Sequence, residues 1–340
     1  MRKIAFLTIL TALIMTSCCN QSQKEKAAIA KLDTMFQELY PADEPGAAVL
    51  ILKGDEIVYD KGFGIADLET GAKIDGNTFF NIASVSKQFT AVAMLQLAEQ
   101  GKISLQDPVK KYFPEFQADF FNDITIAHLL SHTSGIGDYR PREDRDFVLY
   151  ATDEQCYKYM ETLDKLHFTP GTEYQYMNPT FQLCYIIIQR VTGQSFEQYM
   201  KENIFTPAGM DQTVYFSPDK NIPNMSHAYI PVEEKESASN TDSDRTPEAQ
   251  AAAKKQQESA PVIGNWKEYD YGQETFFATK ADGGIYTSTH QFVQWEKALR
   301  NAVVASAESI KNAHTPKIQV SGSKFSSYQN RPHTHYGYGW

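Results

Sequence analysis

The sequence predicts a mixed α and β fold, an α/β class with strands that pair antiparallel (α+β). Three observations carry this reading. Ala47 to Lys53 and Glu56 to Lys61 are strand-like runs on either side of Gly54-Asp55, the pattern of an antiparallel hairpin. Ser84 to Gln100 places Phe89, Val92, Ala93, Leu95 and Leu97 at mixed spacing, so it reads as a largely buried helix, with Gly101 suited to its C′ position. A series of shorter helical patterns then fills most of the remaining chain.

Taken in order, residues 20–30 are polar and rich in Lys and Gln, which suits a tether. Ala27 to Tyr40 shows helical spacing through Ile29, Leu32, Met35, Phe36 and Leu39. Gly62-Phe63-Gly64 and Thr70-Gly71 mark loops. Helices are expected over Ile126 to Ser131, Asp153 to Lys165, Pro179 to Val191 and Phe196 to Asn203, with Gly171 and Gly193 as punctuation. Pro231 to Pro261 is rich in Glu, Ser, Lys, Ala and Gln and has no aromatic residue, the composition of a mobile surface insertion. A helical pattern resumes at Thr289 to Leu299, after a turn at Asp282-Gly283-Gly284. Nearly no strands are legible after the hairpin, which is odd for a fold of this class.

At 340 residues with 42% apolar content, the chain is long enough to bury a sizeable core and is not a disordered sequence. Its net charge is −10, and loss of Arg2 and Lys3 with a leader takes it to about −12. That balance argues against nucleic acid or an anionic membrane surface as a partner.

The N-terminus reads as a targeting segment. Arg2-Lys3 form a charged start, and Ile4 to Met15 is an apolar run too short for a membrane-spanning helix of about 20 residues. Small residues then precede a cysteine in Met15-Thr16-Ser17-Cys18. This looks like a bacterial lipoprotein cleavage box, with Cys18 as the lipidated first residue; ordinary cleavage near Ser17 is the alternative. Either way the expectation is export, with residues 1–17 a signal peptide, 18–30 a tether, and 31–340 one domain. Cys156 and Cys184 lie in helical patterns and read as two buried thiols rather than a disulfide. No Cys-x-x-Cys occurs, so no zinc knuckle is indicated.

The residues that could carry chemistry begin with Ser84-Val85-Ser86-Lys87. A serine hydroxyl needs a neighbouring base to become a good nucleophile. At i and i+3 on a helix, two side chains share a face. Burial can lower the proton affinity of such a lysine, and the helix N-terminus favours a developing negative charge. Ser-x-x-Lys also occurs at Ser217/Lys220 and Ser321/Lys324, but only Ser84 opens a long apolar helix. The competing reading is a helix cap at Ser84 and a solvated Lys87. A second element is Tyr176-Met177-Asn178, after the turn at Pro170-Gly171. A tyrosine near a lysine can relay protons, and an Asn amide can hold the lysine or a substrate carbonyl. A packed aromatic and a helix N-cap are the plainer roles for Tyr176 and Asn178. His128 and His132, at i and i+4, are weak metal candidates without a third ligand, and His333 and His335, which would share one face of a strand, are no stronger.

Together these residues bring in a family. Asn81 to Ala91 (Asn-Ile-Ala-Ser-Val-Ser-Lys-Gln-Phe-Thr-Ala) closely resembles the nucleophile segment of the serine β-lactamase and penicillin-binding-protein family, in particular its class C-related members. Pro45 to Val49 resembles its first strand, and His128 to Ile136 its signature loop. Tyr176-Met177-Asn178, Asp282 to Ser288 and Tyr336 to Trp340 match further stretches in the family's order. The resemblance implies an antiparallel sheet flanked by helices, with a mainly helical part beside it. It implies that Ser84 forms an acyl-enzyme, that Lys87 and Tyr176 share the general acid and base work, and that Asn178 positions substrate. The backbone N–H of Ser84 would supply half of an oxyanion hole. The implied substrate is a β-lactam, a D-alanyl (peptidoglycan-type) peptide or an ester, with no metal or organic cofactor. One departure stands out. The family's third motif, Lys-Thr-Gly or His-x-Gly, lies downstream of the segment resembling Tyr336 to Trp340, where this sequence stops. The expectation is therefore a truncated product or partial sequence of an active parent, with a non-catalytic, lipid-anchored binding relative as the alternative.

Overall fold

Two strand-forming runs on either side of a tight Gly54-Asp55 turn fold back on each other as a hairpin, and a helix packs on it. The computed structural model describes residues 23–137, 151–216, 221–232, 262–268, 279–326 and 330–340. Within these, two compact units divide at Gly76 and Asn77.

In the first unit, residues 23–39 form helix α1. Strands β1 (Ala47–Lys53) and β2 (Glu56–Phe63) pair antiparallel, from Ala47 opposite Phe63 to Lys53 opposite Glu56. Phe36 of α1 packs on Phe63 and Tyr59 of β2, with ring centroids 5.4 and 6.4 Å apart. Asp33 fixes the helix to the strand: its carboxylate accepts from the Tyr59 hydroxyl and from Lys61 Nζ, each at 2.7 Å. These donors hold the Asp33 carboxyl below the usual carboxylate range. A second hairpin, β3 (Ile65–Asp67) and β4 (Ala72–Lys73), follows. Gly62, in β2 rather than in the expected loop, is a steric necessity: a Cβ there would stand 1.8 Å from the Ile74 carbonyl oxygen.

The second unit is built on α2 (Lys87–Glu99), whose apolar residues Phe89, Val92, Met94 and Leu97 are fully buried. Around it lie α3 (Ile126–Leu130), α4 (Asp153–Lys158), α5 (Asn178–Thr192) and α6 (Phe196–Met200). Phe89 stacks on Trp295 at 4.1 Å and meets Phe205 and Phe292 edge-on, anchoring helix α7 (Thr289–Arg300). Helix α8 (Ala307–His314) completes the helical part. Strand β10 (Ile285–Thr287) is the centre of a three-stranded antiparallel sheet between β5 (Phe80–Asn81) and β6 (Val214–Tyr215). Short strands β7 (Tyr229–Pro231), β8 (Val262–Ile263) and β9 (Trp266–Glu268) form another, and β11 (Ile318–Gln319) pairs with β12 (His335–Tyr336).

Several expectations need correction. Ser84 to Gln100 is not one α-helix: Ala83–Ser86 form a 3₁₀ turn, and the α-helix starts at Lys87. The helix expected to run to Lys165 ends at Lys158 and tightens into a 3₁₀ turn to Thr162. The helix expected to reach Asn203 widens into a π turn over Lys201–Phe205. Late strands do exist, but each spans only two or three residues, too few to show an alternating pattern. His333 has a left-handed backbone (φ +58°) and is not in β12, so it does not share a strand face with His335. The core of the expected insertion, 233–261, and the Ser217/Lys220 pair lie outside the described residues. Cys156 and Cys184 are both buried free thiols.

Candidate active site

The site forms where strand β5 turns into α2. Asn81 pairs with Tyr286 in β10, and Ile82 N–H donates to the Ile285 carbonyl at 3.0 Å. The chain then reverses through Ala83, whose φ of +44° lies in the left-handed region that non-glycine residues seldom adopt. The Asn81 side chain stabilises this turn by accepting the Ala83 N–H at 2.7 Å. The Ser86 hydroxyl accepts the Ile285 N–H at 3.3 Å, so strand and turn are tied on both sides. A 3₁₀ turn has three residues per turn, so Ser84 and Lys87 sit one above the other.

The outcome is an exposed Ser84 beside a Lys87 that is 1% exposed. The ammonium of Lys87 donates to Ser84 Oγ at 3.2 Å, to Asn178 Oδ1 at 2.8 Å and to the Asp282 carbonyl oxygen at 2.8 Å. Its Nζ also lies 4.8 Å from the centroid of the Tyr176 ring, within cation–π range. Tyr176 is 38% exposed. The structure therefore brings Ser84, Lys87, Tyr176 and Asn178 into one cluster. The plainer readings of Ser84 as a side-chain cap and Lys87 as a solvated residue do not hold: Ser84 makes no cap hydrogen bond, and Lys87 is buried. Asn178 is the first residue of α5 rather than its N-cap, which is Met177.

Three residues have roles at the site that their sequence patterns did not indicate. Asp282 contributes its backbone carbonyl, a group every residue has, so only its Gly-Gly neighbours hinted at a special turn. That turn is held from below. The buried Asp153 carboxyl accepts the Lys280 N–H at 2.7 Å and the Ala281 N–H at 3.5 Å. Thr90 of α2 donates to the Ala281 carbonyl at 2.8 Å. Burial, then the neighbouring Asp282 carboxylate, push the Asp153 carboxyl well above the usual carboxylate range. The third is His132, fully buried, with its ring 4.3 Å from that of Tyr176. Burial, then the nearby Lys87 charge, hold it well below the usual imidazole range.

The two histidine pairs do not converge on a metal. His128 Nδ1 accepts the Thr125 N–H in a capping box at the start of α3, whereas His132 Nδ1 accepts the Met177 N–H. No cluster of metal-ligating side chains occurs among the described residues. Cys18 lies outside the described residues.

The chain is similar to known proteins. Protein flp of Staphylococcus aureus (strain MW2) is 33% identical over 202 residues, 58% of this chain and 39% of that protein. A penicillin-binding protein of Bacillus subtilis (strain 168) is 31% identical over 214 residues, 58% of this chain and 45% of the relative. The chain thus spans less than half the length of these curated relatives. The octameric penicillin-binding protein homologue from Pyrococcus abyssi superposes with a TM-score of 0.67 at 25% identity, covering 94% of this chain and 64% of that one. The Beta-lactamase family profile matches residues 32–340, and the chain belongs to that family.

Proposed function

We propose that the chain is a serine hydrolase acting through an acyl-enzyme. The observation that carries this is the buried Lys87 ammonium, 3.2 Å from Ser84 Oγ, which also donates to Asn178 Oδ1 and to the Asp282 carbonyl. Once it has lost one proton to solvent, a lysine so placed can take up the proton of the Ser84 hydroxyl. For that transfer Lys87 first gives up a proton of its own, and Tyr176 is the neighbouring group suited to relay it. The Ser84 oxygen then attacks the substrate carbonyl while its proton passes to Lys87. Collapse of the tetrahedral intermediate breaks the bond to the leaving group, which takes up the proton from the Lys87–Tyr176 pair. Water cleaves the resulting ester by the reverse proton path and restores Ser84. The start of α2 places backbone N–H groups and a positive dipole end near the developing oxyanion.

The substrate class is a β-lactam, a D-alanyl peptide or an ester. The similarity to penicillin-binding proteins supports the first two. The chain is exported and anchored through lipidated Cys18, a reading supported by the leader pattern before it; among the described residues no helix is long and apolar enough to cross a membrane.

The test is intact-mass spectrometry after incubation with a fluorescent penicillin and with a fluorophosphonate, on the parent and on Ser84→Ala. An adduct on the parent that is absent from the variant supports the reading. No adduct with either probe, on protein shown to be folded, refutes it.

A further inference from the structure

His132 does nothing in the proton path just described, yet it is fully buried beside it. Its surroundings define both its chemical form and its work. Met177 N–H donates to His132 Nδ1 at 3.2 Å, while the Thr180 hydroxyl, 3.3 Å from the same nitrogen, donates to the Met177 carbonyl at 2.9 Å. A ring nitrogen that accepts an N–H carries no proton, so the neutral ring holds its hydrogen on Nε2. That Nε2 is buried without a hydrogen-bond partner among the described residues.

The main chain of the same residue acts on the same segment. The His132 carbonyl accepts the Gln175 N–H at 2.9 Å. The residues before and after Tyr176 are thus both held by His132, one through its backbone and one through its ring. The ring also packs against Tyr176 itself at 4.3 Å. Further along, Gly171 N–H donates to the Thr133 carbonyl and His167 N–H to the Gly135 carbonyl, each at 2.8 Å, so the whole 132–135 loop lies stitched to 167–177. The fit is close: a Cβ on Gly135 would stand 2.2 Å from the Phe168 carbonyl oxygen. His132 reaches this position with a left-handed backbone, φ +56°. Met177, the N-cap of α5, has no side-chain cap bond of its own, so the His132 nitrogen is what ties down the residue between Tyr176 and Asn178.

We propose that His132 is a positioning residue, whose Nδ1 holds the Met177 N–H and thereby sets Tyr176 and Asn178 against the Lys87 ammonium. A space-filling aromatic would supply the ring contacts but not this acceptor. The role requires a neutral ring. The titratable groups that face it are Lys87 from α2, Tyr174 and Tyr176 from the segment before α5, and Tyr336 from β12. Burial, then Tyr176 and Tyr174, keep Tyr336 protonated, and the Lys87 charge opposes a second positive charge on the ring.

The inference rests on the serine-hydrolase reading, and its test separates the two. A fluorophosphonate is used as the probe, and the inactivation rate constant and the apparent binding constant are measured separately. His132→Phe keeps ring packing and removes the acceptor. His132→Asn places an amide oxygen near the Nδ1 position and tolerates a left-handed backbone. The rate constant is expected to fall about 100-fold in His132→Phe, the cost of small misplacement of reacting groups, with binding changed by less than about threefold. His132→Asn is expected to recover to within about tenfold of the parent. Labelling of His132→Phe at the parent rate overturns the proposal, as does a folded His132→Asn no better than His132→Phe. Nitrogen NMR of the parent gives a check that needs no variant: the ring should be neutral and protonated on Nε2 from about pH 6 to 9. An Nδ1–H tautomer or an imidazolium in that range overturns the proposal. A parent that is never labelled at Ser84 removes the hydrolase reading, and this inference falls with it.

Discussion

Replacing Lys87 with Met separates what the lysine contributes to stability from what it contributes to chemistry. Met matches much of the stem but donates nothing. Two acceptors, Asn178 Oδ1 and the Asp282 carbonyl, lose bonds of 2.8 Å each. Stranding a buried acceptor costs about 1–3 kcal/mol, so the pair costs about 2–6 kcal/mol. Against this, the folded chain no longer buries an ammonium that is 1% exposed, a penalty of several kcal/mol. The opposed contributions are similar in size, so net stability should change by no more than about 2 kcal/mol, a Tm shift below about 8 °C. Chemistry has no such offset. Loss of a positioned general base lowers the acylation rate by roughly 10²–10⁴-fold. The assay pairs thermal unfolding with a mass-spectrometric time course of acylation by a fluorescent penicillin or fluorophosphonate. A folded Lys87→Met chain acylated within about tenfold of the parent would refute Lys87 as the base. A loss above about 5 kcal/mol would show that its hydrogen bonds far outweigh its desolvation.

Four further outcomes are expected. Asn178→Ala removes one charge-assisted bond to Lys87 and should cost about 1.5–3 kcal/mol in urea unfolding, with slower acylation; unchanged stability would mean the 2.8 Å bond is not maintained in solution. Phe89→Ala empties a fully buried site stacked on Trp295 and should cost about 3–5 kcal/mol, checked by urea unfolding, where a loss under about 1 kcal/mol would contradict the packing. Asp153 gives a pH prediction. Its raised carboxyl means the folded chain binds that proton more tightly than the unfolded chain, so its stability contribution is full below about pH 4 and is lost as pH rises through the folded-state value. Asp153→Asn, neutral throughout, should therefore gain on the parent as pH rises from about 4, by at most about 1.4 kcal/mol per pH unit; a difference that stays flat to about pH 8 would contradict it. Gly62→Ala should destabilise the hairpin unit by more than about 1 kcal/mol, because its Cβ meets the Ile74 carbonyl oxygen at 1.8 Å; a neutral result in thermal unfolding would mean the strand and loop move apart freely.

What the sequence by itself determined is what short-range patterns encode. The β1–β2 hairpin follows from two strand-like runs around Gly54-Asp55, and its observed bounds match at the start of both strands. The Ser84–Lys87 pair is three residues apart, so any helical turn, α or 3₁₀, brings the two side chains together. Tyr176 and Asn178 stand out in sequence as a Tyr-x-Asn element after the Pro170-Gly171 turn, and the cluster they form with Lys87 is a tertiary result. The Lys87–Asn178 bond joins residues 91 apart and the Lys87–Asp282 bond residues 195 apart. Only the folded chain could decide these. A backbone carbonyl such as that of Asp282 has no side-chain signature. Strands of two or three residues are too short to alternate visibly; β5 and β6 exist because β10 offers them a ladder, and the others because a partner strand folds back on them. Asp153 and His132 look in sequence like a helix-start acid and a weak metal candidate. Their roles come from what burial surrounds them with: backbone N–H groups that a carboxyl and a neutral imidazole can accept, at sites where water cannot take their place.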